Sequence, residues 1–421
     1  MAPVYADLVS GDDELPAAYA ELSYGLMQWQ GSAAFGWFEL PHDRAYYAGA
    51  DAGTDLPLTD DCLAAAEDEV FYPDYAGLIV HVAWGYGSRI PTGTPGLSLT
   101  LDGVERPYGV VHLRGQPPTP FLLVHEIGHT LGLKHGETLQ SQSSVGPMNA
   151  GFGLHYVGPN KIHLGWIPEE RILTPPPGAV TSIRLERVAR PVGTGPLLAR
   201  IPSQLVANRD FLLEARAPVG TDRTIGGPTV LLTRADSSGN LFLPGPDVAL
   251  LWAWTTAPPR PGAERGDPIY GDSLEGFFIE ADSLMDTGAA VTVIRGWPLE
   301  LVVEGEGRIE GFGEACTREC RRLAAEPGAR VTLTATAGPG LELERWAGDC
   351  SGRETCVMDL TNRRVAIAQF LPRLVVNAND LAASLLGGPP LDVTTATRLD
   401  RRGNDNGELD LGDLRAWILN R

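Results

Sequence analysis

Long apolar runs are missing from this chain. No stretch approaches the roughly eighteen consecutive apolar residues that a membrane-crossing helix requires, which excludes a helical transmembrane segment. Positive charge is also short: 33 Lys and Arg stand against 53 Asp and Glu, a formal net charge of −20, so no basic face for a nucleic-acid partner is expected. Lysine itself is nearly absent. Lys134 and Lys161 are the only two, and we read no catalytic meaning into that bias. The opening "MAPVYADLVSGDDELP" lacks the basic segment and apolar stretch of a secretion signal, which leaves either a cytoplasmic protein or a mature form of an exported one.

Cysteine is scarce as well, five in 421 residues, but it is unevenly placed. Cys316, Cys320, Cys350 and Cys356 lie close together, which points to disulfides and an oxidising compartment and so favours the exported form. Zinc is the alternative for this cluster, although C-x3-C and C-x5-C match the tight knuckles of structural zinc sites poorly. Cys62 stands alone in "TDDCLAAAEDEV" and reads as a small core residue.

What is present describes a folded, soluble chain: 43% hydrophobic and 20% charged residues, with 50 Gly and 34 Pro that favour turns and short strands. Its length exceeds one core, so two to four domains are expected. Residues 1–175 mix helix-like and strand-like pieces: "DCLAAAEDEV" reads as a helix behind a Thr-Asp cap, and "AGLIVHVAW" and "YGVVHLRG" read as buried strands. "QPPTP" then interrupts the chain before "FLLVHEIGHTLGL", the strongest helix candidate. Residues 176–297 carry short alternating runs, among them "FLLEARAPV", "TVLLTRAD" and "AAVTVIRG", which predict a β-sandwich. Residues 298–372 predict a small β module holding the four cysteines, and residues 373–421 two helices, "NDLAASLLGG" and "LGDLRAWIL", flanking the polar loop "DRRGNDNGELD".

Three of the eight histidines fall within residues 125–135, "HEIGHTLGLKH". On a helix His125 and His129 are four residues apart and share a face, where two neutral imidazoles can hold Zn²⁺. Glu126 is rotated away from that face, free to take a proton from a zinc-bound water. Gly132 can adopt a positive φ and turn the chain back, which places His135 as a third ligand and leaves one position open. The bland alternative is a pair of hydrogen-bonded helix histidines. The added Gly and third His at set positions make chance a poor account. His42, His81 and His112 lack ligand spacing.

The pattern H-E-x-x-H-x-x-G-x-x-H resembles the metzincin metallopeptidases, matched at His125, Glu126, His129, Gly132 and His135. Within that clan "AELSYGLMQWQGSAAFGWFELP", "FYPDYAGLIVHV" and "NKIHLGWIP" resemble the secreted immune-inhibitor-A-type and gametolysin-type peptidases, over roughly residues 5–295. The resemblance implies an α/β catalytic domain followed by a sandwich, and a methionine turn in "SSVGPMNAG" with Met148 as the floor of the site. Some metzincins carry a tyrosine ligand two residues after that methionine, where this chain has Ala150. Tyr156 or His155 approaching the metal from the loop is the alternative; both are expected to be solvated loop residues, and His163 structural.

Residues 298–372, with "VTLTA", "W-x-G-x-C" and a closing "A-x-F", resemble the internalin-type B-repeat. For that module we expect local pairing, Cys316 with Cys320 and Cys350 with Cys356, out of three possible connectivities. The tail resembles a dockerin. It implies Ca²⁺ held by Asp400, Asn404, Asn406, the Glu408 carbonyl, Asp410 and Asp413, although the count back from Asn404 reaches Arg402, so that Asp400 must lead a longer loop. A plain acidic turn is the alternative. A cohesin-like partner would suit a dockerin, but nothing in the residues calls for one.

Together these expectations describe a secreted, cell-surface or extracellular bacterial zinc endopeptidase acting on protein substrates. The competing expectations are a non-catalytic surface binding protein with a vestigial metal site, and a zinc hydrolase acting on something other than protein.

Overall fold

The computed structural model describes residues 15–49, 56–84, 92–115, 118–138, 146–149, 155–236, 247–254, 270–272, 275–324 and 326–419. Ala150 lies outside them. The chain divides into two compact units, Met1–Gly296 and Trp297–Arg421. It is a mixed α/β, β-rich protein, and no described helix is long and apolar enough to cross a membrane.

The first unit opens with helices α1 (Leu15–Leu22), α2 (Arg44–Gly49) and α3 (Leu56–Ala66). A three-stranded sheet follows, made of β1 (Gly77–Val82), β2 (Thr92–Leu101) and β3 (Val104–Arg114), with β3 central between parallel β1 and antiparallel β2. Because β3 is flanked on both sides, its run Val110–Leu113 is buried on both faces. Helix α3 begins before its expected cap. Thr59 sits inside the helix, buried, with its hydroxyl 2.6 Å from His112 Nε2. Helix α4 (Pro120–Thr130) packs its apolar side, Leu123, Val124 and Ile127, into a core shared with α1, Val111 and Leu113.

Strands β4 (Glu137–Thr138), β5 (Ile172–Leu173), β6 (Val180–Glu186), β7 (Leu198–Pro202), β8 (Arg209–Arg216), β9 (Thr229–Asp236), β10 (Asp247–Trp254), β11 (Tyr270–Asp272), β12 (Phe277–Met285) and β13 (Gly288–Arg295) form two sheets. Their orders are β4-β10-β9-β8-β7-β5 and β11-β12-β13-β6. Phe211, Leu213, Val230 and Leu232 of the first share one core with Ile183, Phe277, Ile279 and Val291 of the second, the sandwich that the alternating runs predict. Two strands of this sandwich come from before residue 175: β4 pairs with β10, and β5 with β7. Helix α5 (Gly158–His163) also belongs to this unit.

In the second unit β14 (Trp297–Glu304), β15 (Gly307–Glu310), β16 (Glu319–Ala324), β17 (Ala329–Ala337), β18 (Leu341–Gly348), β19 (Cys356–Leu360) and β20 (Arg364–Pro372) form sheets β16-β14-β20-β18 and β15-β17-β19. Both sheets contribute to one core around Trp297, Trp346, Leu333 and Phe370. Disulfides join Cys316 to Cys320 and Cys350 to Cys356, the local pairing expected, with Cα separations of 5.8 and 5.7 Å. Cys62 is a free thiol whose pKa burial pushes up to about 12.

The tail departs from expectation. It holds three described helices, α6 (Ala378–Leu385), α7 (Val393–Arg402) and α8 (Leu411–Leu419). The middle one is hidden in sequence because "VTTATR" is rich in β-branched residues of modest helix propensity. An N-cap supports it: Asp392 accepts from Thr395 N at 2.9 Å. Arg398 and Arg402 of α7 are held by Glu342 and Glu344 of β18 at 2.6–3.2 Å, so the helix is tied to the strand by partly buried ion pairs.

Candidate metal centre

Thr119 caps α4, accepting from Leu122 N at 3.3 Å, and Pro120 occupies the first turn, where its missing N–H costs nothing. The helix ends in a reversal through Gly132 at φ +86°, with Leu133 N donating to Gly128 O at 3.0 Å. That closure is what a glycine in the left-handed region permits. It carries His135 back over the helix face that bears His125 and His129.

The three imidazoles converge. His129 Nε2 lies 3.0 Å from His135 Nε2, which lies 3.1 Å from His125 Nε2. His125 Nδ1 is 2.8 Å from Pro147 O, and His129 Nδ1 is 2.8 Å from Leu133 O. A carbonyl can only accept, so both Nδ1 atoms carry the proton and both Nε2 lone pairs face the common point. Burial pushes the His129 pKa down to about 4, with His125 and His135 adding to the shift, and burial lowers His135 in the same way. His129 and His135 are therefore neutral near pH 7.

Lone pairs facing one another across 3 Å need a proton or a cation between them. Three nitrogens around a tetrahedral zinc at about 2.0–2.1 Å would stand ~3.3 Å apart, close to the spacing found. Among the described residues this trio is the only group of His, Cys, Asp or Glu gathered closely enough to hold one ion. His135 is the exposed member of the trio.

Glu126 is only 4% exposed. Burial raises its pKa, opposed by the nearby His125 and by the N–H of Gly93. Gly93, on β2, was not singled out by sequence reasoning. A Cβ there would sit 1.9 Å from Glu126 O and 2.9 Å from His129 Cβ, so only glycine lets β2 lie against the helix at this point. Gly128, between the two helix histidines, is a second omission. A Cβ there would meet Met148 Sδ at 2.5 Å and Tyr156 Oη at 3.1 Å. Its signal was visible: glycine inside a helix costs about 1 kcal/mol and marks a close approach.

Met148 is buried beneath the helix, and its carbonyl accepts from Gly136 N at 3.0 Å. Tyr156 and His155 correct the expectation of solvated loop residues, since both are fully buried. The Tyr156 hydroxyl donates to Val124 O of α4 at 2.6 Å and lies 3.0 Å from Tyr19 Oη. His155 bonds Thr221 and Lys161. Loop position alone did not reveal that a second sheet covers this segment.

The expected calcium set surrounds the turn between α7 and α8, and its oxygens already have donors. Asp400 accepts from Asn406 N and Gly407 N at 3.0 and 3.1 Å, and Asp413 accepts from Asn404 N and Asp410 N at 3.0 and 2.8 Å. Asp410 accepts from the Asn404 and Asn406 side chains and from Gly412 N, while Glu408 N donates to Asn406 Oδ1.

No family model, curated protein or solved structure matches the chain.

Proposed function

We propose that the first unit is a zinc-dependent endopeptidase. The observation that carries this reading is the convergence of three imidazole Nε2 atoms, two of them on the same helix as the buried carboxylate of Glu126. Bound zinc would supply a Lewis acid that polarises a scissile carbonyl and acidifies the attacking water. Glu126 takes the proton of that water and passes it to the leaving amine. Burial suits it to the first step: a carboxylate with a raised pKa is the stronger base towards that proton. The Gly93 N–H orients it. The carbonyls of Pro147 and Leu133 fix the tautomers and ring directions of His125 and His129.

Strand β2 favours a peptide substrate over a small molecule. It pairs with β3 on one side only among the described strands, and its Gly93 end abuts His129. An extended main chain can add to that edge by backbone hydrogen bonds. The two disulfides favour an extracellular or cell-surface setting.

Casein or gelatin cleavage tests the reading. Glu126→Gln is expected to keep one zinc equivalent and lose activity by about 10²–10⁴-fold, because a neutral amide cannot take the proton. Cleavage by that variant at the parent's rate would remove Glu126 from the chemistry, and absence of cleavage by the zinc-loaded parent would leave a binding protein.

A further inference from the structure

Behind the histidine centre lies a buried charged cluster with no part in the chemistry above. Arg216, at the end of β8, is fully enclosed together with Glu214 and Asp222. Its guanidinium bonds Glu214 Oε1 at 2.6–2.7 Å and Asp222 at 2.9 and 3.1 Å. Two donors remain, and both go to main chain: Nη1 to His155 O and Nη2 to Tyr156 O, each at 3.1 Å. Glu214 Oε2 accepts from Gly158 N. Strand β8 therefore grips the backbone of residues 155–158 at three points.

A second chain of bonds runs through the same segment. Thr221 Oγ1 donates to Glu21 Oε1 at 2.8 Å, so its lone pair accepts from His155 Nδ1 at 2.8 Å. His155 Nε2 is then the acceptor for Lys161 Nζ, which also sits 3.8 Å above the Tyr24 ring. Burial, reinforced by Lys161 and Arg216, holds His155 well below its usual range, consistent with that neutral tautomer.

The gripped segment reaches the histidine centre directly. Tyr156, whose carbonyl Arg216 holds, sends its hydroxyl to Val124 O, one residue before His125, and lies with Met148 under Gly128. The sandwich also takes β4, two residues beyond His135, as an edge strand on β10. Resting on the reading of the trio as a zinc site, we infer that Arg216 is a positioning residue for it: through Tyr156 it sets the height of helix α4, so the sandwich is a built-in part of the metal centre.

Arg216→Lys in the full chain tests this, since an ammonium keeps the charge but cannot span both carbonyls in a planar fork. The readouts are zinc affinity by chelator competition and the visible band of the Co²⁺-loaded protein. The variant should bind zinc at least ~10-fold more weakly, a loss of about 1.4 kcal/mol, with a shifted Co²⁺ band. Tyr156→Phe, which keeps the Arg216 grip but removes the hydroxyl's bonds to Val124 O and Tyr19, should lose roughly threefold. Arg295→Met is the control for general loosening, because Arg295 is buried and bonds the carbonyls of Pro175 and Pro202. It should leave the Co²⁺ band in place. If Arg216→Lys does not fold, Arg216→Met with Glu214→Gln and Asp222→Asn removes the charges together, and Tyr156→Phe stands where neither folds. Parental affinity and band in a folded Arg216→Lys protein, or an equal shift in Arg295→Met, would overturn the inference. A parent that binds neither Zn²⁺ nor Co²⁺ would instead sink the zinc reading on which it rests.

Discussion

The histidine trio and the acidic loop of the tail are both spaced in sequence like metal sites, and they meet their polar atoms in opposite ways. In the trio, His125 and His129 spend Nδ1 on carbonyls and turn Nε2 towards Nε2 of His135. In the tail, Asp400 and Asp413 each accept two backbone N–H groups, so the turn is already closed by its own main chain. A cation would suit the first arrangement and would have to displace existing bonds in the second. Spacing alone cannot separate the two cases, because it specifies which atoms come near one another and not whether their lone pairs are already used.

Removing the first site should therefore have the largest effect. His129→Ala, or a strong chelator, is expected to take away the single zinc equivalent and with it activity by more than ~10⁴-fold, whereas Asp400→Asn should leave zinc content unchanged. Elemental analysis paired with a cleavage assay reads both, and full zinc in His129→Ala would break the comparison.

Acidification should sharpen it next. His129, at about 4 in the metal-free fold, and His155, held lower than usual, both have unfolded values near 6.5. Between those limits the unfolded chain binds more protons, so stability of the chelated first unit should fall as pH drops from about 6.5 towards 4. Thermal unfolding across that window would show it, and a flat profile would contradict the burial of these rings.

Reduction separates the units. The disulfides close loops between positions 4 and 6 residues apart, each contributing roughly 2 kcal/mol by loop entropy. Reductant, which opens both, should loosen the second unit by roughly 4 kcal/mol in total while zinc content stays constant. Zinc loss in parallel would break the comparison, because the trio would then depend on the disulfides.

Calcium should give the smallest effect. We keep it as a proposal for the tail, with an affinity in the weak range of about 10⁻⁴–10⁻³ M because each carboxylate must exchange an N–H for the ion. Calorimetry on the full chain, with Asp413→Asn as reference, decides it. The absence of any heat in the parent would leave a self-capped turn.

Much of this molecule was readable from residue order. The sandwich strands announced themselves by alternation, as in "VTSIRLE" and "FLLEAR", because one face of each must meet the shared core. The local pairing of Cys316 with Cys320 and of Cys350 with Cys356, expected as one of three connectivities, is the one found. His125 and His129 share a helix face by period alone, and Gly132 provides the turn that returns His135. These are local relations, decided within about ten residues. The rest depends on partners distant in sequence. Helix α7 stayed hidden because its support includes ion pairs to Glu342 and Glu344 on another element. Tyr156 and His155 looked like loop residues because the Arg216 that buries them lies about sixty positions on. Gly93 and Gly128 matter only through backbones and side chains that folding alone brings against them. Sequence by itself determined which atoms could bind a cation and on which helix they sit, since period and spacing are properties of the local chain. Only the tertiary structure decided which lone pairs were left free, because burial and long-range hydrogen bonds are settled when separate segments pack.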